Sequence, residues 1–105
     1  MDKCFVIQPF DKDKFDKRFE DIFKPAIIKA DLEPYRIDQD LTVRIPIEEI
    51  EKGIKESAIC FAEITTDNPN VWYELGFAFA SEKTLFWFVP RRDKENFLLI
   101  YSIVR

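Results

Sequence analysis

Apolar residues in this chain fall into two kinds of run, short unbroken blocks and longer stretches with helical spacing. "CFVIQPF" (4–10) is a block closed by Pro9, suited to a buried strand and the loop after it. Phe15, Phe19, Ile22, Phe23, Ala26, Ile27 and Ala30 then recur at spacings that predict an amphipathic helix over 15–30, bent at Pro25, which cannot donate a helical hydrogen bond. "EPYRIDQD" (33–40) reads as a second strand, less apolar and so nearer a sheet edge. In 46–58, Ile47, Ile50, Ile54 and Ala58 predict a second helix with Pro46 at its first position. "ICFAEIT" (59–65) is a third strand, and Asn68 with Pro69 forms a cap and first-turn pair opening a third helix. "TLFWFVP" (84–90) is a fourth strand, 91–96 is charged, and "FLLIYSIV" (97–104) is a fifth strand or begins as a turn of helix.

Strands of this kind alternating with amphipathic helices call for a parallel sheet covered on both faces. The expected fold class is α/β, a three-layer sandwich of flavodoxin-like or Rossmann-like type with a parallel sheet of about five strands. Residues 1–105 are the size of one domain, and the abrupt end after the fifth run is what a chain truncated at its C-terminus would show. In such sheets ligands bind beyond the carboxyl ends of the strands, where strand order reverses. That rule selects Gln8, Pro9, Phe10, Asp38, Asp40, Glu63, Thr65, Asp67, Asn68 and Asn70.

Composition narrows the chemistry. Histidine is absent, which removes Ser/His and Cys/His nucleophile systems and imidazole metal sites. Cys4 and Cys60 sit in apolar runs, match no zinc or redox spacing, and read as buried thiols. Gly53 and Gly76 are the only glycines, so there is neither a P-loop nor a dinucleotide fingerprint, and no cofactor is expected. Net charge is −4 with lysines interleaved among acids, which argues against a nucleic-acid surface. With no leader pattern and no apolar run of membrane length, a cytoplasmic protein is expected.

The run "NPNVWYELGFAFA" (68–80) places one carboxylate, Glu74, among large apolar side chains. Val71, Leu75 and Ala78 form a buried stripe, and Trp72, Tyr73, Phe77 and Phe79 extend apolar surface around most of the helix, which predicts burial on nearly all sides. An acid there has a partner, has a raised pKa, or lines a cavity. The bland alternative is a rim residue paired with Arg36 or a lysine. Gly76, unfavourable in a helix interior, points to a close backbone or ligand approach. Asp38 and Asp40 read first as solvated loop acids and second as ligands, whereas Glu63, ending a buried strand, stands on the ligand side of the sheet or caps a helix.

The order "FVIQPF", "YRID", "ICFAEIT", "NPNVWYELGFAFA" resembles the nucleoside 2-deoxyribosyltransferase-like superfamily, especially its branch of bacterial Toll/interleukin receptor-like nucleotide-binding proteins. The likeness covers about residues 4–90, and "NPNVWYELG" is its most specific part. It implies binding of a nucleoside, NAD or a nucleotide signal, with N-glycosidic cleavage of the hydrolase or transferase type and a role in antiphage defence. Glu74 matches the family's glutamate nucleophile. Gln8, Pro9, Phe10, Asp38, Glu63, Asp67 and Asn70 would hold the substrate, NAD would serve as substrate and not as cofactor, and a homo-oligomer is implied. Glu63 stands where the family usually has aspartate, and Phe79 where relatives often carry histidine. The other readings are a non-catalytic sensing or oligomerising module and a protein-protein adaptor.

Overall fold

The computed structural model describes residues 1–9, 13–37, 47–65, 67–91 and 94–103, and side chains as far as Phe88. Phe10, Asp38, Asp40, Pro46 and Arg92 therefore lie outside the described residues. The elements are β1 (Asp2–Ile7), α1 (Lys14–Arg18), a π-helical segment (Phe19–Phe23), α2 (Lys24–Lys29), β2 (Leu32–Tyr35), α3 (Ile47–Glu56), β3 (Ile59–Glu63), α4 (Pro69–Ala80), β4 (Thr84–Arg91) and β5 (Lys94–Ile103).

They build one five-stranded sheet in the order β2-β1-β3-β4-β5. The first four strands run parallel, and β5 returns antiparallel along β4, with Arg91 paired to Lys94. The expected parallel sheet is therefore present with four strands, and the fifth is a hairpin arm. The physical reason is the shortness of the connection: a parallel return needs a crossover of a dozen or more residues.

Side-chain alternation splits the core into two layers. Cys4 and Val6 of β1 pack with Phe19, Phe23, Ile27 and Phe88 on one face, while Phe5, Ile7, Cys60 and Ala62 pack with Ile50, Ile54, Val71 and Ala78 on the other. Helices on both faces complete the three-layer sandwich, with β2 at an edge as its weaker hydrophobicity implies.

The first helix does not simply bend at Pro25. Its buried residues, Phe15, Phe19, Phe23 and Ile27, repeat every four positions, which on an ideal helix drifts by about 40° per step. A π-helical segment immediately before the proline, in which the Lys24 N–H donates to the Phe19 carbonyl, widens one turn and keeps the stripe on the sheet. Ile22, Ala26 and Ala30 consequently face outward. Among the described residues no helix is long and apolar enough to cross a membrane.

The two glycines have opposite surroundings. A Cβ on Gly53 would lie 2.8 Å from Phe5 Cε2 and 2.9 Å from Tyr35 Cε1, so α3 needs this glycine to seat on β1 and β2. A Cβ on Gly76 would meet nothing within 4 Å among the described residues. The close protein approach expected at Gly76 is at Gly53 instead.

Candidate functional site at the β1/β3 switch point

Strand order reverses between β1 and β3, one leading to β2 and the other to β4. Gln8 and Glu63 stand at the carboxyl ends of these two strands, on the face covered by α1. Glu63 is wholly buried, and a carboxylate there requires compensation. It receives it from Gln8 Nε2 at 2.7 Å, from Thr65 Oγ1 at 3.1 Å and from the Arg18 guanidinium. The Gln8 amide also donates to the Phe15 carbonyl at 2.8 Å, and these two acceptors fix which end of the amide carries the nitrogen. Gln8 Oε1 is buried and has no hydrogen-bond partner among the described residues. Pro9, also buried, follows at once.

Arg18 is the residue that reading the sequence missed. It lies one turn beyond Phe15, its guanidinium carbon 5.8 Å from the Phe15 ring and 5.9 Å from that of Phe88. Locally it is one cation among several in "DKDKFDKRFE", and nothing there marks it out, because its partner lies 45 residues away in sequence. Arg18 also borders an open groove of about 380 Å³ lined by Asp13, Lys14, Lys17, Asp21 and Ile22.

α4 begins beyond the carboxyl end of β3 and forms as its sequence predicts. Asn68 is extended, and its side-chain oxygen accepts from the Asn70 and Val71 N–H groups at 2.9 and 3.2 Å, while Pro69 loses no hydrogen bond in the first turn. Asp67 accepts from Trp72 Nε1 at 2.7 Å, and the Asn70 side chain is exposed. Glu74 is 6% exposed and shares the sheet-facing stripe with Val71 and Ala78. It thus lies on the α3/α4 face of the sheet, opposite the Gln8–Glu63–Arg18 cluster. Arg36 bonds Asp16 and stacks over Phe19.

The expectation that α4 is wrapped on nearly all sides is not met. Trp72, Tyr73 and Phe79 are 46%, 43% and 42% exposed, with Gly76 between them at the surface. Aromatic rings tolerate this when their polar atoms are satisfied: the Trp72 indole bonds Asp67, and the Tyr73 hydroxyl donates to Glu51 at 2.8 Å, a bond that raises the phenol pKa.

No protein-family model matches this chain, and no curated protein matches it.

Proposed function

We propose that this domain binds a nucleoside or nucleotide, NAD included, and cleaves its N-glycosidic bond with Glu74. The observation that carries this reading is a carboxylate on the sheet-facing stripe of α4, 6% exposed, in the second turn past the carboxyl end of β3. In an α/β sheet of this kind ligands bind beyond the carboxyl ends of the strands, and the start of α4 stands there. Leaving-group departure breaks the C–N bond, with the electron pair going to the base and positive charge building on the sugar. A carboxylate below the anomeric carbon stabilises that charge or bonds to the carbon, and water or a second base then completes the exchange. Asp67 and Asn70, exposed at the start of α4, would contact the ligand together with Phe10 and Asp38, while Gln8, Pro9 and Glu63, buried at the strand ends, would act by fixing the floor of the switch point. The fold class supports the placement by analogy.

The exposed rings of α4 favour a second reading, a nucleotide-sensing module without catalysis that joins copies of itself through that helix. A chromatographic time course separates the two, with concentrated protein, NAD and a panel of ribo- and deoxyribonucleosides, run beside Glu74→Gln. Free base or nicotinamide from the parent alone supports cleavage by Glu74. Binding without product from either protein removes the enzymatic reading.

A further inference from the structure

Glu74 stands at one edge of the sheet-facing stripe of α4. At about 100° per residue, Val71 and Ala78 lie about 60° and 40° to one side of it, and Phe77 and Tyr73 about 60° and 100° to the other. That second side faces α3: the Tyr73 hydroxyl donates to Glu51 at 2.8 Å, and Lys55 Nζ lies 5.6 Å from the centre of the Phe77 ring. Glu51 and Lys55 follow one another on one side of α3, as Tyr73 and Phe77 do on α4, so the two contacts are successive rungs across a single seam. The buried carboxylate of Glu74 lies between these rungs and the sheet.

The carboxyl end of α3 is pinned. Lys83 Nζ donates to the Lys55 and Ser57 carbonyls at 2.7 and 2.8 Å, Ser57 Oγ donates to the Gly53 carbonyl at 2.7 Å, and the Ala58 N–H donates to the Lys3 carbonyl at 2.9 Å, near the start of β1. The Tyr73–Glu51 rung is the one nearer the amino ends of both helices. Those ends point to the carboxyl edge of the sheet, where ligands enter folds of this kind.

We infer that the Tyr73–Glu51 bond is a latch over Glu74: α3 turns on its pinned carboxyl end, and parting of this rung opens the seam to the carboxylate from the ligand edge of the sheet. The bond is exposed, and a hydrogen bond of this sort shifts an equilibrium by only roughly 2- to 10-fold, enough to keep the seam mostly closed without sealing it. Openings of so small a free energy belong to the local fluctuations from which binding elements are drawn. The inference rests on the reading that Glu74 meets a ligand, and it adds how an acid so enclosed is reached.

Carbodiimide coupling of glycine ethyl ester, kept to single-hit extents and followed by peptide mass mapping, reads the access to each carboxylate. The proteins are the parent, Tyr73→Phe, Glu51→Ala and the double variant. The rate of Glu74 labelling is expected to rise roughly 2- to 10-fold in each single variant and no further in the double, since either change removes the same bond. Glu63, enclosed by Gln8, Thr65 and Arg18, should stay unlabelled throughout. An unchanged Glu74 rate in both single variants overturns the latch, as do gains that multiply in the double variant or a rise at Glu63 that marks general loosening. Labelling does not depend on turnover, so a failure of all four proteins to release base would remove the cleavage reading and leave the labelling result standing.

Discussion

Alanine placed at each of the two glycines tests the packing by a difference in which helix propensity cancels. Gly53 and Gly76 both lie inside α-helices, so each substitution gains up to about 1 kcal/mol from propensity. At position 76 the methyl enters open space, and in dilute protein Gly76→Ala is expected to raise stability by that amount. At position 53 the methyl would lie 2.8 Å from a ring atom of Phe5, a residue 1% exposed and locked in the core, and 2.9 Å from Tyr35. Tyr35, in the edge strand, can yield; Phe5 cannot. Overpacking of this kind costs about 1–3 kcal/mol, so Gly53→Ala is expected to fall below Gly76→Ala by about that margin. Urea unfolding at low micromolar concentration measures both, and unchanged m-values would show that the native and denatured states kept their compactness. Equal midpoints for the two variants would refute the close approach of α3 to β1.

Breaking the buried ion pair should be asymmetric. Arg18→Met leaves Glu63 buried with one fewer compensating donor and is expected to cost on the order of 3 kcal/mol, whereas Glu63→Gln leaves an arginine already 25% exposed that can turn to water, and should cost less. Denaturant midpoints in that order support the account, and the reverse order sinks it. The two thiols give a pH test: burial pushes Cys4 up to about 11 and Cys60 to about 12, from an ordinary 9.0. At pH 8 only about one Cys4 in a thousand is thiolate, so alkylation should proceed only through unfolding. Because the unfolded chain releases these protons first, stability should fall as pH rises above 9, a loss visible in thermal midpoints and absent from a Cys4→Ala, Cys60→Ala protein.

What was legible in the sequence follows the periodic signals. Runs such as "CFVI" and "ICFA" announced buried strands, and the Asn68–Pro69 pair fixed the start of α4 to the residue, because both are local statements about backbone hydrogen bonds. The antiparallel β5 was also available, since the short charged connection after β4 cannot hold a crossover. The π-helical segment was half visible in the strict four-residue repeat of Phe15, Phe19, Phe23 and Ile27. The exposure of Trp72 and Phe79 was not, because an apolar circumference states what a helix would prefer to bury and not how much chain is there to cover it. Nor was the contrast between Gly53 and Gly76, which propensity flags alike and only neighbours distinguish.

The two buried acids show the same division between local and long-range information. Glu63 and Glu74 were drawn into one site by their nearness to the carboxyl ends of the strands, but the alternation of β3 sends Glu63 towards α1, while α4 carries Glu74 on the other face of the sheet. Their roles therefore differ. Glu63 is enclosed by Gln8, Thr65 and Arg18, so its charge is spent on binding α1 to the strand ends and fixing where the loop after β1 must leave. It has no exposed surface from which to touch a ligand. An influence of Glu63 on binding would pass through Arg18 and Gln8, whose amide oxygen is buried with no partner among the described residues. Glu74 belongs to a helix whose start is capped rigidly and whose outer face is bare. The acid on the inner face of α4 and the rings on its outer face are therefore joined through the body of one capped helix.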